Sequence, residues 1–142
     1  MLSAYPACFI KETDGYSVIF PDLNYLATCG KTLDESIQMA TDCLAGYLYW
    51  LKIEHETFPA ATPVDDVDLN ILSKELDIPV STAFVNIVTV DVDAYAKTHF
   101  EKSVKKTLTI PAWLNNAALE QGINFSQTLQ EALKTKLHLI SK

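Results

Sequence analysis

The stretch Lys105-Lys106-Thr107-Leu108-Thr109-Ile110-Pro111 has a two-residue period, with Leu108 and Ile110 on one side and Lys105, Thr107 and Thr109 on the other. This is the pattern of a strand with one face covered and the other free. Only two helical patterns follow it before residue 142, so nothing downstream can pair with it. The expected partner is the same strand from a second copy of the chain.

The two helical patterns are clearly punctuated. Pro111 suits the start of a first helix, where a missing N–H costs nothing and the fixed φ is already helical. Trp113, Leu114, Ala117, Ala118 and Leu119 then form an apolar stripe that ends at Gly122, a natural helix terminator. A second helix is expected to start at Ser126, whose hydroxyl can accept from the first-turn amides. Its apolar positions are Leu129, Ala132, Leu133, Leu137 and Ile140. Strand, helix and helix in about forty residues lie at the lower limit for an independent core. Intertwined dimerisation would remove that difficulty.

Charge divides the chain at the same place. Residues 1–94 hold four lysines against fifteen acids, about −11, whereas residues 95–142 hold seven lysines against three acids, about +4. The acidic body would repel nucleic acid and attract a basic protein, while the tail could approach phosphate with salt-dependent affinity. The chain has no arginine, so any reading of bases must use lysine, threonine and backbone amides rather than a bidentate guanidinium.

The body begins as a hairpin. Tyr5 to Lys11 reads as a strand, Glu12-Thr13-Asp14-Gly15 as a turn, and Tyr16 to Phe20 as the second strand, closed by Pro21. A third strand, Leu26 to Cys29, stops at Gly30. Thr32-Leu33-Asp34-Glu35 fits a capping box, so a long helix should start there with Ile37, Ala40, Leu44, Leu48 and Leu51 as its stripe. Most of the aromatics near its end, Tyr47, Tyr49 and Trp50, are expected in the core, with one or two left for a partner. Thr57 to Leu69 reads as an acidic loop and Ile71 to Leu76 as a short helical turn. Phe84 to Val90 is apolar on both faces, as expected for a central or parallel strand. Asp93 should cap a short helix from Ala94 to Phe100. The expected class is therefore α+β: a small mixed sheet in the order strand-strand-strand-helix-strand over residues 1–94, a linker with a short helix over 95–104, and a dimerising domain over 105–142.

Other chemistry is poorly supported by the residues. Cys8, Cys29 and Cys43 lack metal or redox spacing and read as reduced thiols. Asp91 and Asp93 have no third ligand nearby to complete a metal site. Catalysis by Asp22 with His55, or by Cys29 as nucleophile, would need a proximity that the sequence does not establish. No enzyme activity, metal or cofactor is expected. No apolar run approaches the ~20 residues of a membrane span, and no leader pattern opens the chain, so a cytoplasmic location is expected.

The run K-K-T-L-T-I-P-A-W-L-N-N-A-A-L-E-Q-G-I-N-F-S-Q-T-L-Q-E-A-L resembles a ribbon-helix-helix DNA-binding domain. The body, through G-Y-S-V-I-F-P-D-L at residues 15–23, Thr28 to Thr32, Glu35, Ala40 and D-V-D-A-Y at residues 91–95, resembles the N-terminal domain of HicB-type antitoxins. That family usually has Pro-Gly where this chain has Asn24-Tyr25. The resemblance implies that the body neutralises a HicA-type toxin, an RNA-cleaving protein with a double-stranded-RNA-binding-like fold, by blocking its catalytic histidine and RNA surface. It implies that the tail dimerises and represses its own operon. Lys105, Thr107 and Thr109 would then face the bases, and Ser126 with the amides around it would hold a phosphate. Residues that touch the toxin are not readable from spacing. A homodimer is expected, and a tetramer if the bodies also self-associate. The competing reading is a dimeric ribbon-helix-helix regulator whose body senses a small ligand and which has no toxin partner.

Overall fold

A computed structural model describes residues 1–79 and 81–139. By contact, the chain divides into two units, Met1–Lys102 and Ser103–Lys142. Ile140, expected on the second tail helix, lies outside the described residues.

The first unit is a four-stranded sheet with helices. Strands β1 (Leu2–Glu12) and β2 (Gly15–Phe20) form the expected hairpin, followed by β3 (Leu26–Gly30) and the long helix α1 (Leu33–Ile53). A connection carrying the short helix α2 (Leu69–Leu76) leads to β4 (Ala83–Asp91) and α3 (Val92–His99). The sheet order is β3-β2-β1-β4.

Every pairing is antiparallel, including β1 with β4, where Pro6 stands opposite Ile87. The α+β class stands, but the sheet is not mixed. The physical reason is the return connection. Residues 54–82 carry the chain back along the sheet after α1, so β4 runs against β1 and no parallel crossover is formed. Nor is β4 central: it is an edge strand, with Val88 and Val90 buried but Phe84 and Ile87 open.

The capping box forms as the sequence implies. The Glu35 amide donates to Thr32 Oγ1 at 3.1 Å, and the Glu35 carboxylate accepts from the Lys31 amide at 2.7 Å. Two glycines make this junction possible. A Cβ on Gly30 would lie 2.4 Å from the Ser36 nitrogen, and one on Gly15, whose φ is +145°, would lie 2.1 Å from the Gly30 carbonyl oxygen. Turn, strand end and helix start therefore meet at backbone distance. At its far end α1 closes with His55 in the left-handed region, the His55 amide donating to Lys52 and the Glu56 amide to Leu51.

The main core lies between one face of the sheet and α1. Tyr5, Ala7, Phe9, Val18, Phe20, Val88 and Val90 meet Ala40, Leu44, Leu48 and Leu51 there. Cys8, Ile10 and Ile19 alternate with the first set and are also buried, as is Leu72 of α2. α1 and α3 pack together on the first face, so the return connection is what remains to cover the second. Side chains of the sheet and its turns fasten it. The Tyr5 hydroxyl donates to the Pro59 carbonyl at 2.6 Å, Asp22 accepts from the Thr62 amide and hydroxyl at 2.8 and 2.7 Å, and the Tyr25 hydroxyl donates to Glu75.

α3 starts at Val92 with Asp91 as its cap, the Asp91 carboxylate accepting from the Ala94 amide at 3.0 Å. Asp93, expected to be the cap, pairs with Lys52 of α1 instead. The strand runs to Asp91, so the backbone leaves the extended conformation there, and Asp93 already lies inside the helix. α3 belongs to the first unit: the Tyr95 hydroxyl donates to Asp42 of α1, and Phe100 packs on Tyr49 and Tyr95.

The second unit contains α4 (Ala112–Glu120) and α5 (Phe125–Lys136). Pro111 stands just before α4, and its carbonyl accepts from Leu114 and Asn115. Gly122, at φ +64°, ends the helix. None of its described residues is buried.

Candidate functional site

Two surfaces were expected to carry function: the tail segment around Lys105, and an undefined face of the body. The tail is the plainer case. Residues 103–111 carry no helix or strand in the single chain, and all of them are exposed, Lys105, Thr107 and Thr109 included. A strand needs a paired backbone, so an unpaired β pattern takes this form in one copy.

Around it, apolar side chains stand in water. Leu108 is 63 % exposed, Trp113 71 %, Leu119 59 % and Leu133 51 %. The expected helical stripes are present, but they face no core within the chain. At roughly 1.5–3 kcal/mol for each large side chain buried, leaving such a set open is costly.

Ser126 is not the cap of α5. The helix starts one residue earlier, at Phe125, and Asn124 is the cap, its side chain accepting from the Gln127 amide at 3.1 Å. The Asn124 carbonyl also accepts from the Thr128 amide and hydroxyl. Ser126 sits in the first turn, where its hydroxyl accepts from the Gln130 side-chain amide at 3.2 Å. Asparagine ranks with serine as a cap, and its position after Gly122-Ile123 was the signal that the spacing argument passed over. Among the described residues no hydrogen bond joins Ser126 to the Lys105–Thr109 segment. The first turn of α5 carries no acid, while Lys134 and Lys136 occupy its last turn, so the start of the helix keeps its positive end open.

In the body, the residues considered for catalysis have structural employment. Both Asp22 oxygens are taken by Thr62, His55 supplies the left-handed residue after α1, and Cys29 is exposed on an edge strand. Cys8 is buried. Burial, with a smaller push from Asp22, raises its thiol to about 11, so it is held protonated and inert. No group of three metal-ligating side chains occurs among the described residues. The Lys52 contact holds Asp93 below the ordinary carboxylate range, and the Ala94 amide does the same for Asp91. Both acids serve the joint between sheet, α1 and α3. No helix among the described residues is long and apolar enough to cross a membrane.

Asn24 and Tyr25, where the related pattern has Pro-Gly, both adopt left-handed backbone with φ of 56°. Asparagine tolerates this, while tyrosine is held there at some strain, its hydroxyl anchored on Glu75. The exchange keeps the turn and turns it into a fastening point for α2.

Against known proteins, a profile described as HicB_like antitoxin of bacterial toxin-antitoxin system matches residues 5–132. A chain of a toxin–antitoxin complex from Streptococcus pneumoniae is 34 % identical, with 96 % of this chain and 99 % of that one covered at a TM-score of 0.62. The antitoxin HicB of Burkholderia pseudomallei shares the fold at 18 % identity, covering 92 % and 96 % of the two chains at a TM-score of 0.50. An uncharacterised 14.9 kDa protein from the rep–hol intergenic region of Haemophilus phage HP1 is 29 % identical over 111 residues, which is 78 % of this chain and 74 % of that protein. The profile spans body and tail alike, and the chain belongs to the family of HicB-like antitoxins of bacterial toxin–antitoxin systems.

Proposed function

We propose that this chain is a stoichiometric inhibitor and autorepressor acting in the cytoplasm: its body neutralises a small basic HicA-type RNA-cleaving toxin, and its tail binds the operator of the shared operon as a dimer. The observation that carries the reading is the contrast in burial. The body completes its own core and is free to act as an inhibitor, whereas the tail leaves Leu108, Trp113, Leu119 and Leu133 in water and is completed by a second copy. Similarity to a chain of a toxin–antitoxin complex over 96 % of the sequence supports the pairing with a toxin.

In this reading the two Lys105–Ile110 segments zip antiparallel. Leu108 and Ile110 turn toward the helices, and Lys105, Thr107 and Thr109 turn toward base edges in the major groove. Lysine donates to guanine acceptors, and the threonine methyl meets that of thymine. The open first turn of α5, with Ser126, receives a phosphate. The body, with an excess of acids, repels DNA and attracts a basic partner.

Co-expression with the short basic protein encoded by the adjacent reading frame tests the division. Growth should be rescued by the full chain. Lys105→Ala or Thr107→Ala should weaken operator binding while sparing rescue, and losing the Lys105 phosphate contact should reduce the salt slope by about one. Loss of rescue with intact operator binding would overturn the assignment. The absence of any such neighbour, together with operator affinity that responds to a small molecule, would favour the ligand-sensing regulator instead.

A further inference from the structure

α1 carries an outward ridge that the fold does not use. Glu35, Met39, Asp42, Gly46, Trp50 and Ile53 recur at four- and three-residue intervals, so they share one side of the helix, away from Ala40, Leu44, Leu48 and Leu51. The C-terminal half of the ridge is apolar and open: Trp50 is 53 % exposed and Ile53 55 %, with Met39 at 40 % further back. Its N-terminal half is acidic. Lys52, the cation nearest in sequence, lies on another flank and is paired with Asp93.

Gly46 is the informative residue. Glycine inside a 21-residue helix is unfavourable relative to alanine, and a conserved fold usually has a packing reason to keep it. Within this chain there is none. An added Cβ would meet only Phe100 Cζ at 3.9 Å, an ordinary contact, in contrast to Gly15 and Gly30, where backbone stands in the way. The reason for a bare backbone at this point therefore lies outside the chain, in a surface that comes close to it. Trp50, beside it and leaning on Tyr47 with ring centroids 6.1 Å apart, is the kind of large, preorganised side chain that anchors protein interfaces.

We propose that the Met39–Gly46–Trp50–Ile53 ridge is where the basic toxin docks, its closest approach at Gly46, with Glu35 and Asp42 meeting its cations. The charge pattern selects this occupant over a second copy: the same ridge brought against itself would set acids of one acidic body near those of another. The inference rests on the antitoxin reading above.

The test is affinity of the full-length chain for the small basic protein encoded beside it, read by calorimetry alongside operator binding and thermal unfolding. Trp50→Ala should weaken toxin binding by a hundredfold or more. Gly46→Ala should weaken it at least tenfold while raising the thermal midpoint by ~3 °C, a pair of changes that a merely structural glycine would not give. Operator affinity should be unchanged in both. If the unaltered chain binds the toxin and both variants bind it equally well, the ridge is not the docking surface and the antitoxin reading survives. If the variants instead change only the oligomeric state, a second copy covers the ridge and the proposal falls. If the unaltered chain does not bind the toxin, the functional reading fails first.

Discussion

The body and the tail of this chain answer the same physical problem in different ways. In the body, Phe9, Phe20, Leu23, Leu44 and Leu48 are fully buried, and the last two belong to a single helix laid on the sheet. In the tail, 103–139, no described residue is buried although apolar side chains are as regularly spaced. Regular spacing is therefore not the same as a core. A core also needs a facing surface, and about forty residues do not provide one.

If that comparison is right, the largest effect of a single change belongs to the body. Leu44→Ala should cost about 4 kcal/mol by cavity formation, measured by denaturant unfolding of the body, and should leave tail self-association intact. A loss below about 1 kcal/mol would mean that the core is looser than its burial indicates. Leu108→Glu should do the reverse. It should weaken self-association by about 3 kcal/mol, seen as a shift toward monomer in sedimentation, without moving the unfolding transition of the body. Equal sedimentation of variant and parent would break the contrast outright.

Smaller effects sharpen it. Asn124→Ala should cost about 1 kcal/mol of tail stability because it removes a helix cap, and Ser126→Ala clearly less, since Ser126 lies inside the first turn. The opposite ranking would restore Ser126 as the cap. Finally, Asp91 and Asp93 are held below the ordinary value of 3.8, so their contribution is complete at neutral pH, begins to fall as pH drops through that value, and is gone below their depressed values. Both are exposed, so the effect is small. It should appear as acid-dependent loosening of α3 in hydrogen exchange, absent in Asp93→Asn for the Lys52 pair.

Most of the fold was legible from residues whose local chemistry admits one outcome. Thr32 and Glu35 box the start of α1, Gly122 ends α4, and Gly15 turns the hairpin, because each answers a nearby backbone requirement. The errors arose where the deciding partner is distant in sequence. Phe84–Val90 reads as central because both its faces are apolar, yet its place at the edge depends on how residues 54–82 return the chain. Asp91 and Asp93 both precede Ala94, and which one caps α3 depends on where β4 stops pairing with β1. The ridge on α1 was illegible for the same reason. Trp50 and Tyr49 are adjacent aromatics, and only the position of α3, with Phe100 on Tyr49, leaves one inside and the other facing out.

The return connection has one further consequence. It is tied to the body at Pro59, Thr62 and Glu75, and β4 beyond it is zipped along β1 from Leu2 to Ile10. A protease cutting between these ties would sever the polypeptide without releasing either piece. The nicked body would still travel as a single particle, and two separately expressed fragments divided there should find each other and reconstitute it.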